Sequence, residues 1–345
     1  MKKAALALII TIILAVVCVT ALAACVNIQE EGDGIYSNQG VKYKVDGQFA
    51  TVIGAVEGAT YCKILPRLQD DALGINAEVT IIAENAFAGA KIDHVEFDVG
   101  FERLTIYPNA FAGSTVSNLE DFPYTNVMLT DNALAGMHDL RELSVRGDSR
   151  ERGCYYVDEE RDYGLYGVGE NGEVTLYLVP AARSAGEDYT ITADIVAPGA
   201  FSGNKSIKNV YVGANVKRIC AGAFAGVKIS AVTINQGRTA EIFVEDNAFE
   251  VDKDMRFYVP AKDEAELDQW IKLNDGEQFE TLSGLIHPTG CTNSGAHIHG
   301  LSGEDAPATS LQGLPYAVTD ASHYKVEIAG VTYTLQYLFT TFSAQ

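Results

Sequence analysis

The sequence predicts a β-rich solenoid built from coils of about 23 residues with short strands. Three observations carry that prediction. A short phrase returns six times: Asn85-Ala86-Phe87-Ala88-Gly89, Asn109-Ala110-Phe111-Ala112-Gly113, Asn132-Ala133-Leu134-Ala135-Gly136, Gly199-Ala200-Phe201-Ser202-Gly203, Gly222-Ala223-Phe224-Ala225-Gly226 and Asn247-Ala248-Phe249. Its aromatic or Leu positions are separated by 24, 23, 67, 23 and 25 residues, and the long gap is close to three periods. Aliphatic residues recur at fixed offsets around each phrase. Such a repeat is one coil that buries its apolar face only against neighbouring coils.

Alignment on the Ala-Phe pair exposes the rest of the coil. Five residues before the Phe stand Ile82, Ile106, Leu129, Val196, Ile219 and Val244. Five or six residues after it stand Ile92, Val116, Leu140, Ile207, Ile229 and Met255. Val95, Leu119, Leu143, Val210 and Val232 follow, and two residues beyond come Phe97, Val145, Val212 and Ile234, with Asp121 breaking the column. In-out-in alternation at these last positions predicts a short strand. The Gly two residues after the Phe suits a turn of positive φ.

These residues resemble the repeats of the BspA-like bacterial leucine-rich-repeat surface proteins, whose pattern is an aliphatic, small or polar residues, Ala-Phe, a turn and a short aliphatic strand. The resemblance covers about residues 79–260. It implies a leucine-rich-repeat solenoid over 79–282. A strand ending at Pro260 and an amphipathic capping helix at about 263–273, with Leu267, Trp270 and Ile271 on one face, match that family's usual finish.

The flanks follow from local patterns. Val41 to Ile53 reads as a hairpin turning at Asp46-Gly47, so residues 41–78 are assigned to an N-terminal β cap. Residues 146–189 lack Ala-Phe and read as a β insertion in an otherwise continuous stack, with a hairpin turn at Asn171-Gly172. Residues 283–315 are rich in Gly, Ser, Thr, His and Pro without periodicity, which predicts a linker. Alternation returns in 316–345 and predicts a C-terminal β segment.

The N-terminus reads as an export signal. Lys2 and Lys3 precede an apolar run, and Leu22-Ala23-Ala24-Cys25 resembles a bacterial lipobox. Residues 1–24 are then the signal peptide and Cys25 the lipidated first residue of the mature protein. Acyl chains add about 0.8 kcal/mol of membrane affinity per buried CH₂, so the protein is anchored to a membrane without spanning it. Residues 25–40, polar and acidic, read as a tether. Loss of Lys2 and Lys3 takes the formal charge from −21 to −23. That balance argues against nucleic acid as a partner, because phosphate binding requires a basic surface. Four further Cys, at 62, 154, 220 and 291, allow three full pairings or free thiols.

No nucleophile–base pair, phosphate loop or zinc-protease motif is present, and the sequence recommends no enzymatic activity. His287, Cys291, His297 and His299 have ligand types suited to a tetrahedral zinc site, although their spacing fits no established zinc module and a solvated polar linker is the simpler account. Arg146-Gly147-Asp148 has the composition of an integrin-binding turn; an ordinary charged turn explains it as well. The favoured binding surface is the solvent side of the predicted strand ladder: His94, Glu96, Asn118, Glu120, Glu142, Ser144, Arg146, Asn209 and Tyr211. Together with the resemblance, this implies a cell-surface lipoprotein that binds an extracellular protein or glycan. Two other expectations stay open: a structural envelope component with no outside ligand, and metal capture by the His/Cys tail.

Overall fold

The computed structural model describes residues 28–183, 185–234, 242–245, 247–250 and 255–259, and beyond them a few backbone strands. Among the described residues the chain is built of strands and turns, in two compact units divided near residue 150.

The first unit opens with an antiparallel meander of β1 (Gln29–Gly32), β2 (Ile35–Asn38), β3 (Val41–Asp46) and β4 (Phe49–Ala55). The polar stretch expected as a tether therefore contributes two strands. Its turn residues Asp33 and Gly34 take positive φ, and Ile35 and Tyr36 add β propensity. The coils follow: β5 (Tyr61–Ile64), β6 (Arg67–Asp70), β7 (Ile75–Ile82), β8 (His94–Phe97), β9 (Leu104–Ile106), β10 (Asn118–Phe122), β11 (Val127–Leu129), β12 (Glu142–Val145) and β13 (Tyr155–Val157). Apart from β13, they form two sheets. One is a parallel ladder in the order β5-β8-β10-β12, and the other extends the meander in the order β4-β7-β9-β11.

The second unit holds β14 (Leu165–Val168), β15 (Val174–Leu178), β16 (Asp188–Ile191), β17 (Ile195–Val196), β18 (Asn209–Val212), β19 (Arg218–Ile219), β20 (Ala231–Ile234), β21 (Phe243–Val244), β22 (Arg256–Val259) and β23 (Ile286–Pro288). β14 and β15 form the antiparallel hairpin expected around Asn171-Gly172, with Gly172 at φ 84°. Parallel sheets β15-β17-β19-β21 and β16-β18-β20-β22-β23 repeat the two-sheet coil. β25 (Tyr316–Asp320), β26 (Lys325–Ile328) and β27 (Val331–Leu335) lie in the expected C-terminal β segment, and they join antiparallel with β24 (Leu301–Ser302), which, like β23, falls in the stretch expected as a linker. The expected capping helix at 263–273 and the signal peptide lie outside the described residues.

Part of the segment expected as an insertion is itself a coil. Leu176 pairs in register with Val196, then Ile219, then Val244, so it occupies the aliphatic column. Three residues on, fully buried Val179 donates its N–H to Ala200 O (2.8 Å), the bond that Phe makes in other coils, so Val holds the place of Phe here. Tyr189 takes the ladder position and packs edge-on to Phe201, ring centroids 4.9 Å apart. The first unit likewise has one more ladder strand than the Ala-Phe phrases announce: Cys62 pairs with Val95.

The repeated phrase has a backbone reason at both ends. Asn85, Asn109, Asn132 and Asn247 have φ between 56° and 60°, and Gly199 and Gly222 stand at the same place with φ of 73° and 68°. Asn and Gly are the residues that enter this left-handed region at least cost. The closing Gly89, Gly113, Gly136, Gly203 and Gly226 are also left-handed. Between them the Phe ring turns inward and its backbone N–H bonds to the next coil, as from Phe87 to Ala110 O (2.7 Å) and from Phe224 to Ala248 O (2.9 Å). Phe87, Phe111, Phe201 and Phe224 are fully buried, and Phe87 stacks on Phe111 with centroids 5.1 Å apart.

Asp121, which breaks the inward column in the sequence, is bulged outward. It has φ 58°, the pairing of β10 with β12 shifts register there, and Phe122 takes the buried place instead.

Candidate functional site: the outward face of the strand ladder

In the first unit, parallel register places outward side chains in two rows. Tyr61, His94, Asn118 and Glu142 form one; Lys63, Glu96 and Glu120 form the other. Parallel strands with identical offsets bring such residues about 4.8 Å apart, so each row is continuous. All seven are half-buried or exposed. The sequence-predicted residues His94, Glu96, Asn118, Glu120, Glu142 and Ser144 thus come together on one face. Tyr61 and Lys63 also belong to it and were missed, because their coil lacks the Ala-Phe phrase.

The face is cross-linked by charge. Lys63 Nζ lies 2.8 Å from Glu96 and 3.4 Å from Asp98. Tyr61 donates its hydroxyl to the other oxygen of Glu96. His94 Nε2 sits 2.7 Å from Glu120 Oε2, and its ring meets Tyr61 edge-on with centroids 5.2 Å apart. Burial works against the charge of Glu96, but hydrogen bonds from Lys63 and Tyr61 outweigh it and hold the carboxyl below its ordinary value. The bond to Glu96 holds the Lys63 ammonium above its ordinary value. Partial burial, then the bond to Glu96, push the Tyr61 phenol upward.

Arg146 closes this face. Its guanidinium lies 2.5 Å from Asp121 Oδ2 and donates to Phe97 O at 3.1 Å, reaching back across two coils. The bulge at Asp121 supplies that carboxylate, and Ser144 Oγ accepts from Asp121 N at 3.0 Å. Arg146 is engaged within its own fold, whereas an integrin-type turn needs a projecting guanidinium.

The far edge of β5 is covered. Lys63 N bonds to Gln39 O (3.0 Å), the Cys62 thiol donates to Gly40 O (3.1 Å), and Tyr43 donates its hydroxyl to Lys63 O (3.3 Å). A Cβ on Gly40 would fall 2.2 Å from Tyr61 O, so only glycine permits this approach. Burial pushes the Cys62 thiol up to about 12. Cys62 and Cys154 are buried thiols outside any disulfide.

The ladder of the second unit has different chemistry. Its rows are Asp188, Asn209 and Ala231, and Thr190, Tyr211, Thr233 and Tyr258. Asn209 donates to Asp188 at 2.7 Å, and Tyr211 is 41% exposed. Both predicted residues, Asn209 and Tyr211, lie on this face.

Beneath it, Asp162 is buried and accepts from Tyr166 (2.6 Å), from Tyr189 and from Gly164 N (2.8 Å). Burial, and next to it the Asp162 charge, push the Tyr166 phenol upward. With every donor fixed and the carboxylate enclosed, this is a structural brace for the coil that lacks Phe.

Among the described residues no group of three or more His, Cys, Asp and Glu can hold a metal ion. His287 lies on β23, while Cys291, His297 and His299 of the expected metal tail lie outside the described residues.

Comparison with known proteins agrees with the repeat. The BspA-type leucine-rich repeat region matches in six copies over residues 71–155 and 188–256. No curated protein matches the sequence. Among solved structures, the chain is similar to a leucine-rich cell surface protein from Faecalibacterium prausnitzii (11% identity, 66% of this chain and 89% of that chain, TM-score 0.30). It is also similar to a leucine-rich-repeat protein from Eubacterium ventriosum (13% identity, 68% and 84%, TM-score 0.30). A third is a leucine-rich-repeat protein from Bacteroides ovatus (15% identity, 64% and 39%, TM-score 0.22). Residues 71–155 and 188–256 are therefore BspA-type leucine-rich repeats, with Asn/Gly-Ala-Phe at five of the turns and Leu134 in the place of Phe at the sixth.

Proposed function

We propose that this protein is a binding module displayed outside a bacterial membrane and held there by a lipid on Cys25. It recognises an extracellular protein or glycan through the outward face of its strand ladder. The supporting observation is the in-register rows on β5, β8, β10 and β12, which hold half-exposed polar side chains in fixed positions. Solenoids use such extended surfaces for partners. The rows are pre-organised: Lys63 and Tyr61 are already bound to Glu96, so little side-chain entropy of these three is lost on contact. The lipid keeps the module at the surface.

The test is a binding screen of the purified chain against arrayed matrix proteins and glycans. A variant carrying Glu96→Lys, Glu120→Lys and Glu142→Lys runs beside it. A ligand bound by the parent and lost by the variant supports ladder recognition. A ligand retained by the variant moves the site elsewhere. A folded parent with no ligand favours an envelope-structural role.

A further inference from the structure

The sheet opposite the ladder in the first unit carries a cleft of about 670 Å³, formed by β3, β4, β7 and the start of β9. Its volume falls within the range of small-molecule sites, roughly 300–1,000 Å³. The lining is distinctive. Lys44 and Arg103 bring two cations into a chain of net charge −21, against the single acid Asp46. Thr51, Thr80 and Thr105 line the same space. Phe49 is 47% exposed, and the Arg103 guanidinium lies 5.0 Å from its ring centroid.

A defect in strand pairing builds this lining. The register of β4 against β7 shifts between Ala50 and Thr51, so that Thr51 pairs with Ile81 and Thr80 is the extra residue. Without the bulge, alternation would send Thr80 and Ile81 to opposite faces; with it, both line the cleft. Bulges of this kind re-aim side chains beside functional sites. Glu78 contacts Arg103 through the inner nitrogen Nε, at 3.6 Å. Bidentate carboxylate recognition uses the parallel N–H groups of the guanidinium fork. Lys44 donates to Asp33 O, which fixes its ammonium at the rim.

We propose that this cleft binds a saccharide bearing a carboxylate, of the uronic-acid type. Arg103 and Lys44 hold the carboxylate, the three threonines and Asp46 exchange hydrogen bonds with ring hydroxyls, and Phe49 offers an apolar edge to the sugar's C–H face. A bare inorganic anion would leave the hydroxyl row and the phenyl ring unused. A metal cation is opposed by two positive side chains. The site is separate from the ladder, so its test stands apart from the ladder reading.

The experiment is calorimetric titration of the purified full chain with oligogalacturonate and oligoglucuronate, and with their methyl esters, which keep the hydroxyls and lose the charge. Acid forms are expected to bind, with the esters weaker by about tenfold or more, the loss that follows from one charged hydrogen bond. Arg103→Gln and Phe49→Ala, both at exposed side chains and checked for folding by circular dichroism, should each weaken binding by a similar factor. The triple Glu→Lys ladder variant should bind as the parent does. The proposal is overturned by equal binding of acid and ester. It is equally overturned by acid binding that survives both cleft variants, or by no binding of either oligosaccharide to folded protein.

Discussion

The rings of Phe201 and Phe224 stack face to face, with centroids 4.2 Å apart and 7° between their planes. They stand one coil apart in the chain, and Phe249 continues the stack at 4.6 Å from Phe224. Buried aromatics bring large apolar areas, and stacked pairs add about 0.5–1.5 kcal/mol beyond that burial. The column is therefore the spine of the second unit.

Phe224→Ala removes the middle ring. It should cost about 3–5 kcal/mol, because the neighbours on either side cannot close the cavity. Phe224→Leu should cost about 1.5 kcal/mol or less, since Leu134 fills the same column position in the first unit. Urea unfolding of the two variants followed by near-UV circular dichroism measures both, and equal losses would show that the stack is not what stabilises the unit.

Asn109 has φ 56° at the start of its coil. Asn109→Ala should destabilise by about 1–2 kcal/mol, the cost of holding a residue with Cβ in the left-handed region. Asn109→Gly should be close to neutral, as Gly199 and Gly222 already serve at this place in other coils. Thermal melts of the pair decide the matter; a harmless Ala would mean that the side-chain amide and the φ angle are both dispensable.

A Cβ on Gly164 would lie 2.9 Å from Asp162 Oδ1 and 3.1 Å from Leu176 Cδ1. Gly164→Ala should therefore disturb the brace around the buried carboxylate. Tyr166→Phe removes one donor from Asp162 and should cost about 1–3 kcal/mol, more than a typical neutral hydrogen bond, because the acceptor is left enclosed. Hydrogen exchange should rise locally in residues 158–191 in both variants. Unchanged exchange there would show that the brace has no mechanical role.

The ion pair of Lys63 and Glu96 has a definite pH signature. The folded Glu96 value is lowered, so its stabilising contribution is present at neutral pH and is lost as pH falls through that lowered value. The folded Lys63 value is raised, so its contribution is complete below the ordinary lysine range and is lost as pH rises through the raised value. Glu96→Gln should flatten the acid limb of the stability profile relative to the parent, by an amount salt reduces. An acid limb identical in parent and variant would mean that solvent screening cancels the pair.

Much of this was legible because a solenoid writes its tertiary contacts into a local period. Ile82 with Ile106, Val95 with Leu119, and Phe87 with Phe111 are contacts between residues one repeat apart, so the repeat spacing is also the contact map. Where a coil departs from the phrase, the period falls silent. Val179 takes the place of Phe, Tyr189 packs against Phe201 beside it, and Asp121 is displaced by a bulge while Phe122 moves inward. The ladder residues Tyr61 and Lys63 were hidden for the same reason.

By itself, the sequence determined the repeat, the inward columns, the left-handed turns and the strand face on which polar residues gather. Each is set by one residue type acting on its own backbone or at one fixed spacing. Only the tertiary structure decided which outward residues meet: Lys63 bonds Glu96, His94 lies against Glu120, and Arg146 bonds Asp121 and Phe97 O. It also decided that a bulge at Thr80 opens a cleft between Lys44, Phe49 and Arg103. Those contacts depend on side-chain reach and on slips in register. Periodicity specifies neither, because a slip changes the facing of residues without changing their order.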